Sequence, residues 1–195
     1  MNSAHHLILA SGSPRRKELL QKAGYKFEVV SYDFDEILPE AIQASDAAEY
    51  LAKEKNTFYR SKLENQVIIT SDTTVVLDNK VYNKPKDAEE ALEMIRLFSG
   101  KSHEVISGVC ISSLQKTISF SSKTVVTFSE INNVEAQFYV DQFKPFDKAG
   151  AYGIQEWIGL TKISKVEGSF FNVVGLPIQE LYDILKKEFD ISPLG

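Results

Sequence analysis

The sequence predicts an α/β fold built on a mixed sheet flanked by helices; an α+β arrangement of the same elements would share that sheet. Three observations predict it. Helical and strand patterns interleave at the start of the chain, a long hairpin block sits in the middle, and a helix closes it. The 195 residues, 43% hydrophobic and 25% charged, suffice for one domain with a full core. No repeat, low-complexity tract or linker divides them, so one domain of two lobes is expected over residues 1–195.

The elements follow in order. His6 to Ala10 reads as a short buried strand, and Ser11-Gly12-Ser13 as a turn. Pro14 opens a helix to Ala23 that stops at Gly24, because proline suits a first helical position and glycine the position just past the last. Phe27 to Ser31 alternates like a strand, and Tyr32 to Gln43 is an acidic loop holding Asp33, Asp35, Glu36 and Glu40. Ser45 is placed to cap a second helix running to about Leu63. Val67 to Leu77, rich in Val, Ile and Thr, is the strongest strand; Asp78-Asn79-Lys80 turns it and Val81-Tyr82 begins the return. Asp87 to Phe98 places Ala88, Ala91, Leu92, Ile95 and Phe98 at helical spacing. Glu104 to Ser113 and Thr117 to Phe128 form a long hairpin, Asn133 to Asp141 a helix, and Lys144 to Gln155 a turn-rich loop. Ile158 to Val166 reads as a strand, and Leu176 to Phe189 as a helix with Pro177 in its first turn.

The net charge of −5 and pI near 5.3 argue against non-specific binding to nucleic acid or an anionic membrane. An anionic ligand would need a local basic cluster. One cysteine, Cys110, excludes an intramolecular disulfide and sits in an apolar run as a core residue. The N-terminal apolar run Leu7–Ala10 is too short for a secretory signal or a membrane span, so the cytoplasm is the expected compartment. His5, His6 and His103 are scattered without zinc spacing, and neither a Walker loop nor a nucleophile elbow is present.

Five constellations carry chemistry. Ser11-Gly12-Ser13-Pro14-Arg15-Arg16 joins a strand to a helix N-terminus, where free N–H groups attract anions. Arg15 and Arg16 oppose the helix dipole there, unless a phosphate reverses the balance; the alternative is a capped helix with two solvated arginines. Asp72 lies inside a β-branched strand, where a carboxylate is costly unless paired or metal-bound; it is a candidate general base or metal ligand, or else it faces solvent. Glu36 in the acidic loop could join Asp72 in binding a hard cation, or be merely solvated. Lys55 and Lys84, the latter held extended by Pro85, are candidate phosphate contacts. Gln155, after Gly150-Ala151-Tyr152-Gly153, has an amide able to read a base edge, although the segment is equally a tight structural turn.

In order along the chain, these pieces resemble the Maf family of nucleotide pyrophosphatases. The likeness rests on Leu9 to Arg16 with Glu18-Leu19-Leu20, Phe34-Asp35-Glu36, Lys53-Glu54-Lys55, Ser71-Asp72-Thr73 and Lys84-Pro85. It continues through Ser99 to His103, Asp147 to Gln155 and Asn172 to Pro177. The resemblance implies an elongated mixed sheet with an active-site cleft, as in the inosine triphosphate pyrophosphatases. It also implies a divalent metal, Mg²⁺ or Mn²⁺, and hydrolysis between the α- and β-phosphates. By position Asp72 falls on the family's proton acceptor, and Ser11, Arg15, Arg16, Glu36, Lys55, Lys84 and Gln155 on its other active-site positions; Glu36 and Asp72 are the candidate metal ligands. Ser11, Ser13, Arg15, Arg16, Lys55 and Lys84 would contact phosphates. Arg15, Thr73 and Gln155 match the branch that takes dTTP and UTP, which makes them the expected specificity residues. Asn56, Glu156-Trp157-Ile158 and Phe170-Phe171 depart from the family pattern, which touches the base pocket more than the chemistry. The expected partners are a nucleoside triphosphate and, by family analogy, a second copy of the chain, with no nucleic acid or membrane. House-cleaning and arrest of cell division are the roles the likeness implies. The rival expectations are a nucleotide sensor without catalysis, regulating cell division, and a phosphomonoesterase.

Overall fold

The computed structural model describes residues 6–63 and 65–194. The expected position of His5 lies outside these residues. A seven-stranded mixed sheet runs in the order β2-β1-β3-β5-β6-β7, with β4 on the same edge of β3 as β1. Its strands are β1 (Leu7–Ala10), β2 (Glu28–Val30), β3 (Val67–Leu77), β4 (Lys80–Tyr82), β5 (Ser102–Ser112), β6 (Thr117–Phe128) and β7 (Ile163–Glu167). β1 pairs in parallel with β2 and β3; all other pairs are antiparallel. At about 3.4 Å per residue the long β5–β6 hairpin spans roughly 37 Å, which makes the sheet elongated. Around it lie α1 (Pro14–Lys22), α2 (Ala47–Arg60), α3 (Ala88–Phe98), α4 (Asn133–Phe143), α5 (Trp157–Lys162), α6 (Phe170–Val174) and α7 (Ile178–Phe189). Among the described residues no helix is long and apolar enough to cross a membrane.

Side-chain alternation along β3 explains where the interior divides. On one face Val67 and Ile69 join a core with Leu9, Leu20, Val109, Leu181 and Leu185, while Val75 and Leu77 join another with Phe98, Phe128, Tyr139 and Ile158. Between them on that face stand Ser71 and Thr73. β5 repeats the pattern, with Ser107 between Val105 of one core and Val109 of the other. The sheet therefore has a polar waist between two apolar halves.

Several elements differ from the sequence reading. Residues 157–162 form a helix, so only the second half of the expected Ile158–Val166 strand is extended. Ile158 and Leu160 would share a face in a strand, yet Ile158 is 0% exposed and Leu160 81%. The helix fits because Gly159 has no side chain: a Cβ there would lie 1.9 Å from the Ile154 carbonyl oxygen. Asp46, not Ser45, occupies the N-cap of α2, and no side chain caps it. α7 begins at Ile178, with Pro177 just before it, and the short α6 had no sequence signal. Cys110 is buried as expected, and burial pushes its thiol up to about 11.

Candidate active site

One edge of β3 is paired twice and left open between. Val67–Ile69 bond to β1 and Val75–Leu77 to β4, so Thr70 to Thr74 have no neighbouring strand on that side. A cleft of about 560 Å³ opens there. Unpaired backbone groups of a central strand need other partners, and the start of α1 supplies one: Arg16 Nη1 donates to the Ser71 carbonyl at 2.8 Å.

α1 begins where β1 ends at the same gap. Ser13 holds the N-cap position but makes no side-chain cap bond, and the first turn contains no acid. The Ser11 hydroxyl instead accepts from the Ser13 amide at 3.2 Å and from Arg16 Nη1 at 3.2 Å. Arg16 further donates from Nε to the Gly175 carbonyl at 2.9 Å and from Nη2 to Thr73 Oγ1 at 3.1 Å. Gly175 sits at φ +124°, a conformation open to glycine, and that conformation presents its carbonyl. Burial holds the Arg16 guanidinium below its ordinary pKa, against the opposing pull of Asp72 and Glu36.

Asp72 points to the opposite face, beneath α2. That helix crosses β5 at Gly108, the residue paired with Asp72, and lies so close that a Cβ there would meet Ala48 O and Glu49 N at 2.3 Å. Asn56, the departure from the family pattern, anchors the helix by donating to Cys110 O at 3.1 Å and Ile68 O at 3.4 Å. Lys55, one residue earlier, then bridges two carboxylates: Asp72 Oδ1 at 2.5 Å and Glu36 Oε1 at 2.7 Å. Burial raises the Asp72 pKa above the ordinary carboxylate value, although Lys55 and Arg16 pull it down; Glu36 raises it further. Glu36 goes the other way: burial raises it, but Lys55, Lys84 and Arg16 together hold it low. Asp72 Oδ2 receives no hydrogen bond from any described residue.

A second polar chain lines the mouth. Arg15 Nη1 pairs with Asp147 Oδ2 at 2.8 Å, Lys148 bridges Asp147 Oδ1 at 2.7 Å and Glu156 Oε1 at 3.0 Å, and Tyr139 donates to Glu156 while accepting from the Gly153 amide at 3.0 Å. Burial opposes ionisation of Asp147, but Lys148 and Arg15 hold it down at about 2. The cleft wall thus carries five cations, Arg15, Arg16, Lys55, Lys84 and Lys148, against Glu36, Asp72, Asp147 and Glu156. The lining cations outnumber the lining carboxylates by one, in a chain whose net charge is −5.

All ten residues singled out from the sequence line this cleft. Ser11, Arg16, Thr73, Lys55, Asp72 and Glu36 meet at the gap, while Lys84 and Gln155 are exposed on its walls and make no hydrogen bond among the described residues. Arg15 does not join the inner cluster; its guanidinium is held by Asp147. Sequence reasoning missed Lys148 and Ser107. Lys148 lay inside the matched Asp147–Gln155 block and could have been found there; Ser107 showed only as a polar residue in a buried strand. Among the described residues no group of three or more His, Cys, Asp or Glu gathers to hold a metal.

The family model described as "Maf-like protein" matches residues 6–188. The chain is 45% identical to a protein of Bacteroides thetaiotaomicron named dTTP/UTP pyrophosphatase, over 94% of this chain and 96% of that one. It is 47% identical to a protein of the same name from Christiangramia forsetii, over 94% of each. A third of that name, from Porphyromonas gingivalis, is 44% identical over 93% of this chain and 94% of its own. With a family model spanning nearly the whole chain and relatives this similar at full length, the chain belongs to the Maf family.

Proposed function

We propose that this protein hydrolyses dTTP and UTP to the monophosphate and pyrophosphate, acting as one unit of two lobes over residues 1–195. The observation that carries the reading is a single buried carboxylate, Asp72, beside Arg16 and Lys55 in the sheet gap. The names of the 44–47% identical relatives support the substrate.

The triphosphate binds against Arg16, Lys55 and Lys84, whose charges offset its own. Arg15 at the mouth reaches a phosphate only by leaving Asp147, so its contact competes with an existing ion pair. Gln155, exposed on the wall, offers its amide to the base edge. Asp72 Oδ2 takes the proton of the water that attacks the α-phosphate. Its raised pKa makes it a better base than an ordinary carboxylate, and Lys55 fixes its other oxygen. Pyrophosphate leaves, its charge balanced by the same cations. Glu36 and Asp72 converge on one ammonium, so their oxygens suit a hard cation that takes its other ligands from phosphate and water. They would hold Mg²⁺ or Mn²⁺, which would neutralise charge on the phosphate oxygens. The same reading puts the enzyme in the cytoplasm as a homodimer, with a house-cleaning role.

The test is product analysis on a panel of nucleoside triphosphates with Mg²⁺ or Mn²⁺ in ¹⁸O-labelled water. Monophosphate and pyrophosphate from dTTP and UTP, with the label in the monophosphate, support the reading. Release of inorganic phosphate, or no turnover, refutes it.

A further inference from the structure

Arg16 has five N–H groups, and its bonds leave little freedom. Nε serves Gly175 O, Nη1 serves both Ser11 Oγ and Ser71 O, and Nη2 serves Thr73 Oγ1. All four acceptors are neutral, so one Nη2 proton remains for a ligand. The Thr73 hydroxyl is equally committed. It accepts from Arg16, lies 2.8 Å from Ser107 Oγ, and can donate to Gly175 O at 3.4 Å. Ser107 is fully buried at the polar waist and donates to the Asn172 carbonyl at 3.1 Å. A hydroxyl has one proton and two lone pairs; because Ser107 gives its proton to the Asn172 carbonyl, Thr73 donates across the 2.8 Å contact while accepting from Arg16, so it has no proton left to give a nucleobase.

We propose that Ser107 and Thr73 are positioning residues that lock the Arg16 guanidinium: Ser107 fixes the Thr73 hydroxyl, Thr73 fixes Nη2, and Thr73 therefore affects turnover through Arg16 rather than by reading the base. The kinetic part rests on the nucleoside triphosphate reading above; the structural part stands on the bonds alone. Ser107 is thereby a contributor to the site although it does not line the cleft.

The test uses Ser107→Ala, Thr73→Val and Thr73→Ser, with two readouts. The first is NMR of arginine-labelled protein, with the Arg16 side-chain signals assigned through Arg16→Lys. A guanidinium tied at both ends shows separate, slowly exchanging Nη protons. We expect Ser107→Ala and Thr73→Val to speed their exchange at least about tenfold, the scale of one charged hydrogen bond, and Thr73→Ser to restore it. The second is kcat and KM on dTTP, UTP and GTP. We expect kcat to fall by a common factor on all three and Thr73→Ser to recover it. Unchanged Arg16 exchange in both hydroxyl-deleting variants overturns the proposal. So does a shift in the preference among nucleotides in Thr73→Val with Arg16 still locked. If the wild type turns over no nucleotide, the proposed function fails, and the NMR result still decides the positioning claim.

Discussion

Replacing Arg16 with lysine keeps the charge and removes the geometry. The guanidinium reaches Gly175 O from Nε and Ser71 O from Nη1, at opposite parts of a rigid plane. An ammonium concentrates its three donors at one point and cannot serve both. Of four acceptors, at least two lose their donor, and Ser71 O lies in the stretch of β3 that no strand pairs. A hydrogen bond to a charged group contributes about 1.5–3 kcal/mol, and water entering from the cleft recovers part of it, so the net loss is about 2–4 kcal/mol. For a chain of this size about 1 kcal/mol shifts the melting temperature by roughly 2–4 °C, so Arg16→Lys lowers it by about 4–16 °C. Thermal unfolding followed by circular dichroism, with pyrophosphate release measured on the same sample, tests this. The variant should also lose at least about tenfold in kcat, because its free N–H is no longer held in place. A melting point within about 1 °C of wild type, with kcat intact, would refute the reasoning.

Other perturbations probe separate parts. Asp72 has a folded pKa above its unfolded value, so its ionisation opposes folding: its favourable contribution is present below the unfolded pKa and is lost as pH rises through the folded one. Asp72→Asn should therefore gain in melting temperature relative to wild type as pH rises from 4 to 7, and a difference independent of pH contradicts the buried-carboxylate picture. His103, packed between the tilted rings of Phe98 and Phe128 with Nε2 2.7 Å from Tyr152 Oη, is depressed by burial from 6.5 to about 4. Its stabilisation is present above 6.5 and is lost as pH falls towards 4, about 3 kcal/mol in all. His103→Phe should flatten urea stability over that window, and an unchanged acid slope would count against it. Gly108→Ala drives a methyl into the backbone of α2, and overpacking of about 1–3 kcal/mol should lower both stability and kcat, since the same helix carries Lys55. A variant melting like wild type would show that α2 does not sit as close as described.

Much of the fold was legible because local signals and tertiary burial agreed. β3 spans the expected residues because its β-branched run is buried on both faces. The turn after it was readable because Asp78 and Asn79 tolerate the positive φ, 51° and 60°, that a tight hairpin demands. Asp87 caps α3 by accepting from the Glu90 amide at 2.9 Å, a signature carried in four residues. The α5 segment misled because apolar residues two apart look like a strand face until one is seen to be exposed. At the site, the residue types were legible and the pairings were not. Arg15 and Asp147 stand 132 positions apart, and no local pattern announces that they meet. Thr73 was visible as a motif residue, yet its tie to Ser107 and Gly175 depends on strand register and a distant turn.

The central claim is that the lone buried carboxylate of the sheet gap takes the proton in nucleotide hydrolysis. Saturating kcat of Asp72→Asn on dTTP and UTP, on protein shown to be folded, tests it most directly. The account predicts a fall of ~10²–10⁴, the range for losing a general base. Turnover equal to wild type would contradict it.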